Sequence, residues 1–242
     1  MKKGKYTYVW VSFVILVFGI IFIPRIINSV QNDSVVVNDR MSVKDNTDAL
    51  SYLIIDGKKR RVPQFAFVNQ DSLVITDKDY IGKVFVVEFF FTSCPSICPV
   101  MTKNLVAVQE EFKDVKNFGI ASFSINPRYD SPRVLKEYAE KYKITDLDWH
   151  LLTGEQEIIY DLANTGFNIF AAERPDVPGG FEHSGMFALI DKKGYVRSRV
   201  DDFGNPIIYY RGTILESEGE NNEGEKEQIS VLKEDIKKLL QE

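Results

Sequence analysis

Residues 84–101 read VFVVEFFFTSCPSICPVM, and this stretch decides the fold. Val84 to Phe91 is apolar except for Glu88 and rich in Val and Phe, the composition of a central strand buried on both faces. Pro99 suits a first helical turn. Leu105, Val108 and Phe112 recur at spacings of three and four, which predicts a helix over 99–113 with one buried face. Between strand and helix stand Cys94 and Cys98, the only two cysteines of the 242-residue chain. Cys98 falls at the helix N-terminus, where free backbone N–H groups and the dipole favour a thiolate over a thiol. Cys94 lies on the loop before it.

The same alternation of periods continues downstream. Phe118 to Ile125 is a second apolar strand. Ser131-Pro132 then read as N-cap and first helical residue, with Val134, Leu135, Tyr138, Ala139 and Tyr142 giving an amphipathic helix. Strand, helix, strand, helix implies parallel pairing. Trp149 to Leu152 is a further strand and Glu155 to Asn164 a helix, while Gly185 to Ile190 and Tyr195 to Val200 flank Lys192-Lys193-Gly194 as a hairpin. Peripheral strands fall within 62–68 and 73–76. A strand ending in a cysteine pair, a βαβ crossover and a closing hairpin are the parts of a thioredoxin-like α/β sheet. Residues 216–224, ESEGENNEG, are too polar to pack and read as a solvated loop. Ile229, Leu232, Ile236, Leu239 and Leu240 then predict an amphipathic C-terminal helix that docks back on the domain.

The N-terminus sets the compartment. Lys2, Lys3 and Lys5 precede an uncharged run from Tyr6 to Ile23, long enough at about 1.5 Å per residue to cover roughly 27 Å of hydrocarbon. Only Arg25 follows closely, so the positive-inside rule puts the N-terminus in the cytoplasm and the rest on the outer, periplasmic side of the cell inner (cytoplasmic) membrane. With no small-residue cleavage site after Ile23 and no cysteine for lipid attachment, residues 1–27 read as a single-pass transmembrane anchor rather than a cleaved signal peptide. Residues 28–50 mix Asn, Asp, Ser and Val without period and read as a tether, leaving 51–242 as one domain. Outside the anchor, 26 basic residues face 35 acidic ones, a net charge near −9. That balance argues against nucleic acid as a partner.

Several segments resemble one family, the Sco/SenC copper proteins of cytochrome c oxidase assembly. They are FAFVNQ (65–70) with TDKDYIGK (76–83), FFFTSCPSICPVM (89–101), SINPRYDSPRVLKEY (124–138), WHLLTG (149–154) and HSGMFALIDKKG (183–194), and they follow the family's order. The resemblance implies a thioredoxin fold on a single membrane anchor. It also implies that Cys94, Cys98 and His183 bind a copper ion, Cu(I) or Cu(II), destined for the copper-centre subunit of a respiratory oxidase. Donor chemistry agrees. Soft thiolates select Cu(I), an added imidazole suits either oxidation state, and structural zinc prefers four Cys or His donors, whereas this chain has two cysteines and two histidines. Where many relatives have Asp-Pro, this chain has Asn126-Pro127; Asn serves the turn as well as Asp.

Other readings stay open at this level. The cysteines can equally close a redox disulfide, which makes a thiol-disulfide oxidoreductase acting on the oxidase cysteines the rival function, although its usual motif is Cys-x-x-Cys and it has no use for His183. A structural disulfide restricts the unfolded chain little over so short a ring. Peroxidase chemistry of the peroxiredoxin type expects Thr and Pro where Phe91 and Val87 stand. His150 reads as structural, Met101 and Met186 as core residues, and Glu88 either tunes the thiolates or faces water.

Overall fold

A computed structural model describes residues 10, 12, 13, 15–18, 50–55, 57–200 and 206–242. The described positions between 10 and 18 are helical. Most of the expected anchor and nearly all of the expected tether lie outside the described residues, and among the described residues no helix is long and apolar enough to cross a membrane. Leu50, the last position of the expected tether, is buried in the domain core.

Residues 48–242 form one compact unit around a sheet whose main path has eight strands: β1 (Ser51–Tyr52), β2 (Ala66–Asn69), β3 (Val74–Thr76), β4 (Val84–Phe90), β5 (Phe118–Ser124), β6 (Trp149–Thr153), β7 (Met186–Ile190) and β8 (Val196–Val200). Their order across the sheet is β1-β8-β7-β4-β5-β6-β2-β3. The continuous apolar run becomes the centre, as double-sided burial requires, and every residue of β4 and β5 is buried. β4 and β5 are parallel, with Val84 opposite Phe118 and Phe90 opposite Ser124, and β5 and β6 are parallel too. β7 runs antiparallel to β4, with Ala188 opposite Val87, and pairs with β8 as the expected hairpin.

The helices follow their apolar spacings: α1 (Cys98–Phe112), α2 (Pro132–Tyr142), α3 (Gln156–Asp161) and α4 (Ile229–Gln241). Side chains alternate across a strand, so β4 serves two cores at once. Phe90 meets Tyr138 of α2 on one face, at a ring separation of 5.5 Å. Phe89 meets Phe123 at 5.4 Å and Phe167 at 5.9 Å on the other. α1 touches both α2 and α4, and α4 docks through Ile229, Leu232, Ile236 and Leu239, all buried.

Three features differ from the sequence expectation. The helix expected over 155–164 ends at Asp161 and continues as a π-helical turn, Leu162–Phe167. Residues 171–173 and 181–183 form a two-stranded antiparallel hairpin outside the main sheet that the sequence reading did not assign, and His183 ends its second strand. Tyr210–Arg211 adds a short strand beside Met186 and Phe187.

Candidate metal centre

The site forms where three elements end together. β4 delivers the chain to Cys94, α1 begins at Cys98, and antiparallel pairing brings the entrance of β7 alongside the exit of β4. Ala188, Leu189 and Ile190 lie opposite Val87, Val86 and Phe85, so the chain enters β7 from the side on which β4 ends.

Cys94, Cys98 and His183 each offer one donor atom, and those atoms lie within 4.8 Å of one another. Cys98 Sγ is 3.2 Å from His183 Nε2. Both cysteines are free, and all three residues are at most 8% exposed. Donors about 2.0–2.3 Å from one ion span nearly this spread, so the arrangement fits a single soft ion. Close approach of backbone holds it together. Gly185, at φ +67°, would put a Cβ 2.4 Å from Thr213 Cγ2 and 3.3 Å from Ile97 Cδ1, so only glycine fits between the histidine hairpin and β7. Gly179, at φ +89°, seats the turn of that hairpin against Phe91 and Pro95. The His183 ring meets Phe91 edge to face at 6.2 Å.

The two sulfurs are unequal, and in the opposite sense to the sequence expectation. Cys98 is the first residue of α1 but only 1% exposed, and burial pushes its thiol well up, reinforced by the neighbouring Cys94. Cys94 is held well below the ordinary thiol value, first by Cys98, then by His183 and by the backbone N–H groups of Cys98 and Ser96. The start of α1 thus does favour a thiolate, but through the Cys98 N–H, and on the cysteine before the helix. Ser96 Oγ lies 3.7 Å from Cys94 Sγ.

Two carboxyl groups are buried near the end of the central strands, and one of them holds the cysteine loop. Asp130, fully buried, accepts hydrogen bonds from the Thr92 N–H at 3.1 Å, from the Thr92 hydroxyl and from the Ser124 hydroxyl, so it fixes the loop two residues before Cys94. Burial raises its pKa despite those donors. The turn it belongs to is intact, with the Tyr129 and Asp130 N–H groups donating to the Asn126 carbonyl. Glu88 does not face water: it is 1% exposed, accepts a 2.6 Å hydrogen bond from the Ser122 hydroxyl, and leaves Oε2 without a hydrogen-bond partner. Desolvation lifts its pKa to about 7. Ser122 in turn receives the Trp149 indole N–H at 2.9 Å. In sequence Asp130 stands only within the family-like segment SINPRYDSPRVLKEY, and its role was not legible there because Thr92 comes from a distant loop.

The remaining candidates sit elsewhere. His150 packs its ring 6.0 Å from Tyr80, with Nδ1 3.2 Å from Asn69 Nδ2, and Met101 is fully buried in the core.

A mixed α/β thioredoxin-like domain with two cysteines and a histidine gathered at the end of its central strand defines the class of protein. Residues 55–213 match the SCO1/SenC family model. The SCO1 protein homolog of Bacillus subtilis is 32% identical over 148 residues, 59% of this chain and 75% of that protein. Among solved structures, a SCO1/SenC family lipoprotein from Bacillus anthracis is 30% identical with a TM-score of 0.61, covering 74% of this chain and 95% of that one. BsSco, a Sco-family cytochrome c oxidase assembly protein in which a disulfide switch was identified, is 25% identical with a TM-score of 0.60, covering 81% and 99%. The chain belongs to the SCO1/SenC family.

Proposed function

We propose that this protein binds one copper ion through Cys94, Cys98 and His183 and delivers it to the copper-centre subunit of a cytochrome c oxidase during assembly. The observation that carries the reading is the convergence of two free sulfurs and one imidazole within 4.8 Å. Two thiolates provide for Cu(I), and the imidazole, a harder donor, adds hold on Cu(II). An open coordination position gives an acceptor's ligand somewhere to attack. In this reading residues 1–27 anchor the chain in the membrane, 28–50 tether it, and 51–242 work on the outer side. Copper titration of the reduced full-length chain tests it: one equivalent is expected, with thiolate charge-transfer absorption for Cu(II). A wild-type spectrum retained in His183→Ala would remove His183 from the site.

The inequality of the sulfurs favours a second reading, thiol-disulfide exchange. The Cys94 thiolate would attack a partner disulfide and displace one partner thiolate. Cys98 would then attack the mixed disulfide, releasing the second, so that Cys94–Cys98 is oxidised as the partner dithiol is reduced. In this route His183 is not a ligand and exchanges no bond; it acts only by helping to hold the Cys94 thiol down. In cells lacking the wild-type protein, His183→Ala is expected to fail to restore oxidase activity, with partial rescue by added copper. Full restoration by His183→Ala alongside failure of Cys94→Ser would make the exchange reading the correct one.

A further inference from the structure

We infer that Asn164 is a positioning residue for His183, and that it sets how long the imidazole stays on the metal. The inference rests on His183 being a ligand.

His183 is the outermost residue of its strand, where its backbone pairs with Ala171. That two-stranded hairpin does not join the main sheet, so something else must fix Ala171. Asn164 does so through both faces of its amide: its Nδ2 donates to the Ala171 carbonyl at 2.9 Å and its Oδ1 accepts the Ala171 N–H at 3.1 Å. A side-chain amide pairing with a backbone amide at two points substitutes for the missing third strand. Asn164 Nδ2 is itself steadied by the Tyr160 carbonyl at 3.0 Å. The clamp exists because the chain leaves α3 through the π-helical turn Leu162–Phe167. Within that turn Ala163 and Phe167 are buried while Asn164 stays exposed, so the turn anchors in the core and lends its amide to the hairpin. The Ser184 N–H to the Phe170 carbonyl, at 3.2 Å, closes the next step of the ladder.

The route from Asn164 to the site is therefore short: its amide binds the Ala171 backbone, Ala171 is the register neighbour of His183 across the hairpin, and His183 Nε2 meets Cys98 Sγ. The sulfurs themselves are carried by β4 and α1, and Asn164 reaches them only through His183. Because Asn164 is exposed, replacing it removes the clamp without opening a core cavity.

The test compares wild type, Asn164→Ala, Asn164→Asp and His183→Ala in the full-length chain. Asp keeps the acceptor for the Ala171 N–H and loses the donor. In the metal-free reduced protein, amide exchange at Ala171, whose N–H Asn164 accepts, is expected to quicken roughly tenfold in Asn164→Ala and by less in Asn164→Asp. Cu(II) release to a chelator is expected to follow the same order. Equal release by wild type and His183→Ala would overturn the ligand reading. A clear difference between those two, with Asn164→Ala releasing Cu(II) at the wild-type rate, would overturn the positioning role alone.

Discussion

The two halves of the site are built differently. The sulfurs sit at the junction of β4 and α1, with the most deeply buried strands of the sheet beneath them and the Asp130 carboxylate clamping the loop at Thr92. The imidazole sits at the end of a three-residue strand in a hairpin that hangs outside the sheet and is tied down by Asn164 and the seat of Gly179 on Phe91 and Pro95. Local opening costs least where few buried contacts must break. In the proposed reading the soft donors belong to the deeply buried frame and the harder donor to the hairpin outside the sheet, a division that suits holding an ion and releasing it.

The largest effect expected from this contrast is on the rigid half. Cys98→Ser is expected to weaken Cu(I) binding by more than about a thousandfold, beyond the 10–100-fold that even partners outside the ligand shell are worth. Competition with a Cu(I) chelator measures it, and a loss under tenfold would mean that the sulfur is not a principal ligand. Oxidising the cysteine pair is expected to abolish binding in the same assay until reductant is added.

Stability divides along the same line. Phe89, 1% exposed and packed on Phe123 and Phe167, is expected to cost about 3–5 kcal/mol on truncation to Ala. Phe181, half-buried against Phe91 at 5.3 Å in the hairpin, is expected to cost about 1 kcal/mol. Denaturant unfolding compares them, and equal losses would erase the distinction between frame and hairpin.

Glu88 gives the frame a pH signature. Its folded pKa of about 7 lies above the ordinary 4.5, so between those values the folded state keeps a proton that the unfolded chain has released. Stability therefore falls as pH rises through that window, and the loss is complete above it. Glu88→Gln is expected to flatten the slope and to gain on the order of 2–3 kcal/mol over wild type at pH 8. Urea unfolding at pH 5 and pH 8 checks this, and an unaltered slope would assign the dependence to another group.

The smallest effect expected is the most selective. His183→Ala is expected to weaken Cu(II) binding about ten- to a hundredfold and Cu(I) binding by less than about tenfold, because imidazole matters more to the harder ion. Equal losses for both oxidation states would show that the hairpin is as integral to the site as the cysteine loop.

Much of this was legible in the chain itself, and the reason is locality. The run from Val84 to Phe91 can only be a doubly buried strand, the spacings after Pro99 and Pro132 can only bury one helix face each, and the cysteines lie between two such elements, so the strands, the helices and the cysteine loop follow from neighbours in sequence. What depended on distant partners was not legible. Nothing near Glu88 announces Ser122, nothing near Asp130 announces Thr92, and the helical spacing over 155–164 does not show that the chain slips into a π turn to hold Ala171. The sense of the sulfur inequality also escaped a local reading. Position alone names Cys98 as the helix-start residue, but which sulfur is desolvated and which receives the N–H groups depends on how the loop folds back, and burial outweighs the dipole when the two compete. Periodicity fixes what each segment is, because it acts through the nearest few residues; ionisation and donor geometry were decided by the tertiary structure, because they depend on groups that only the folded chain brings within a few ångströms.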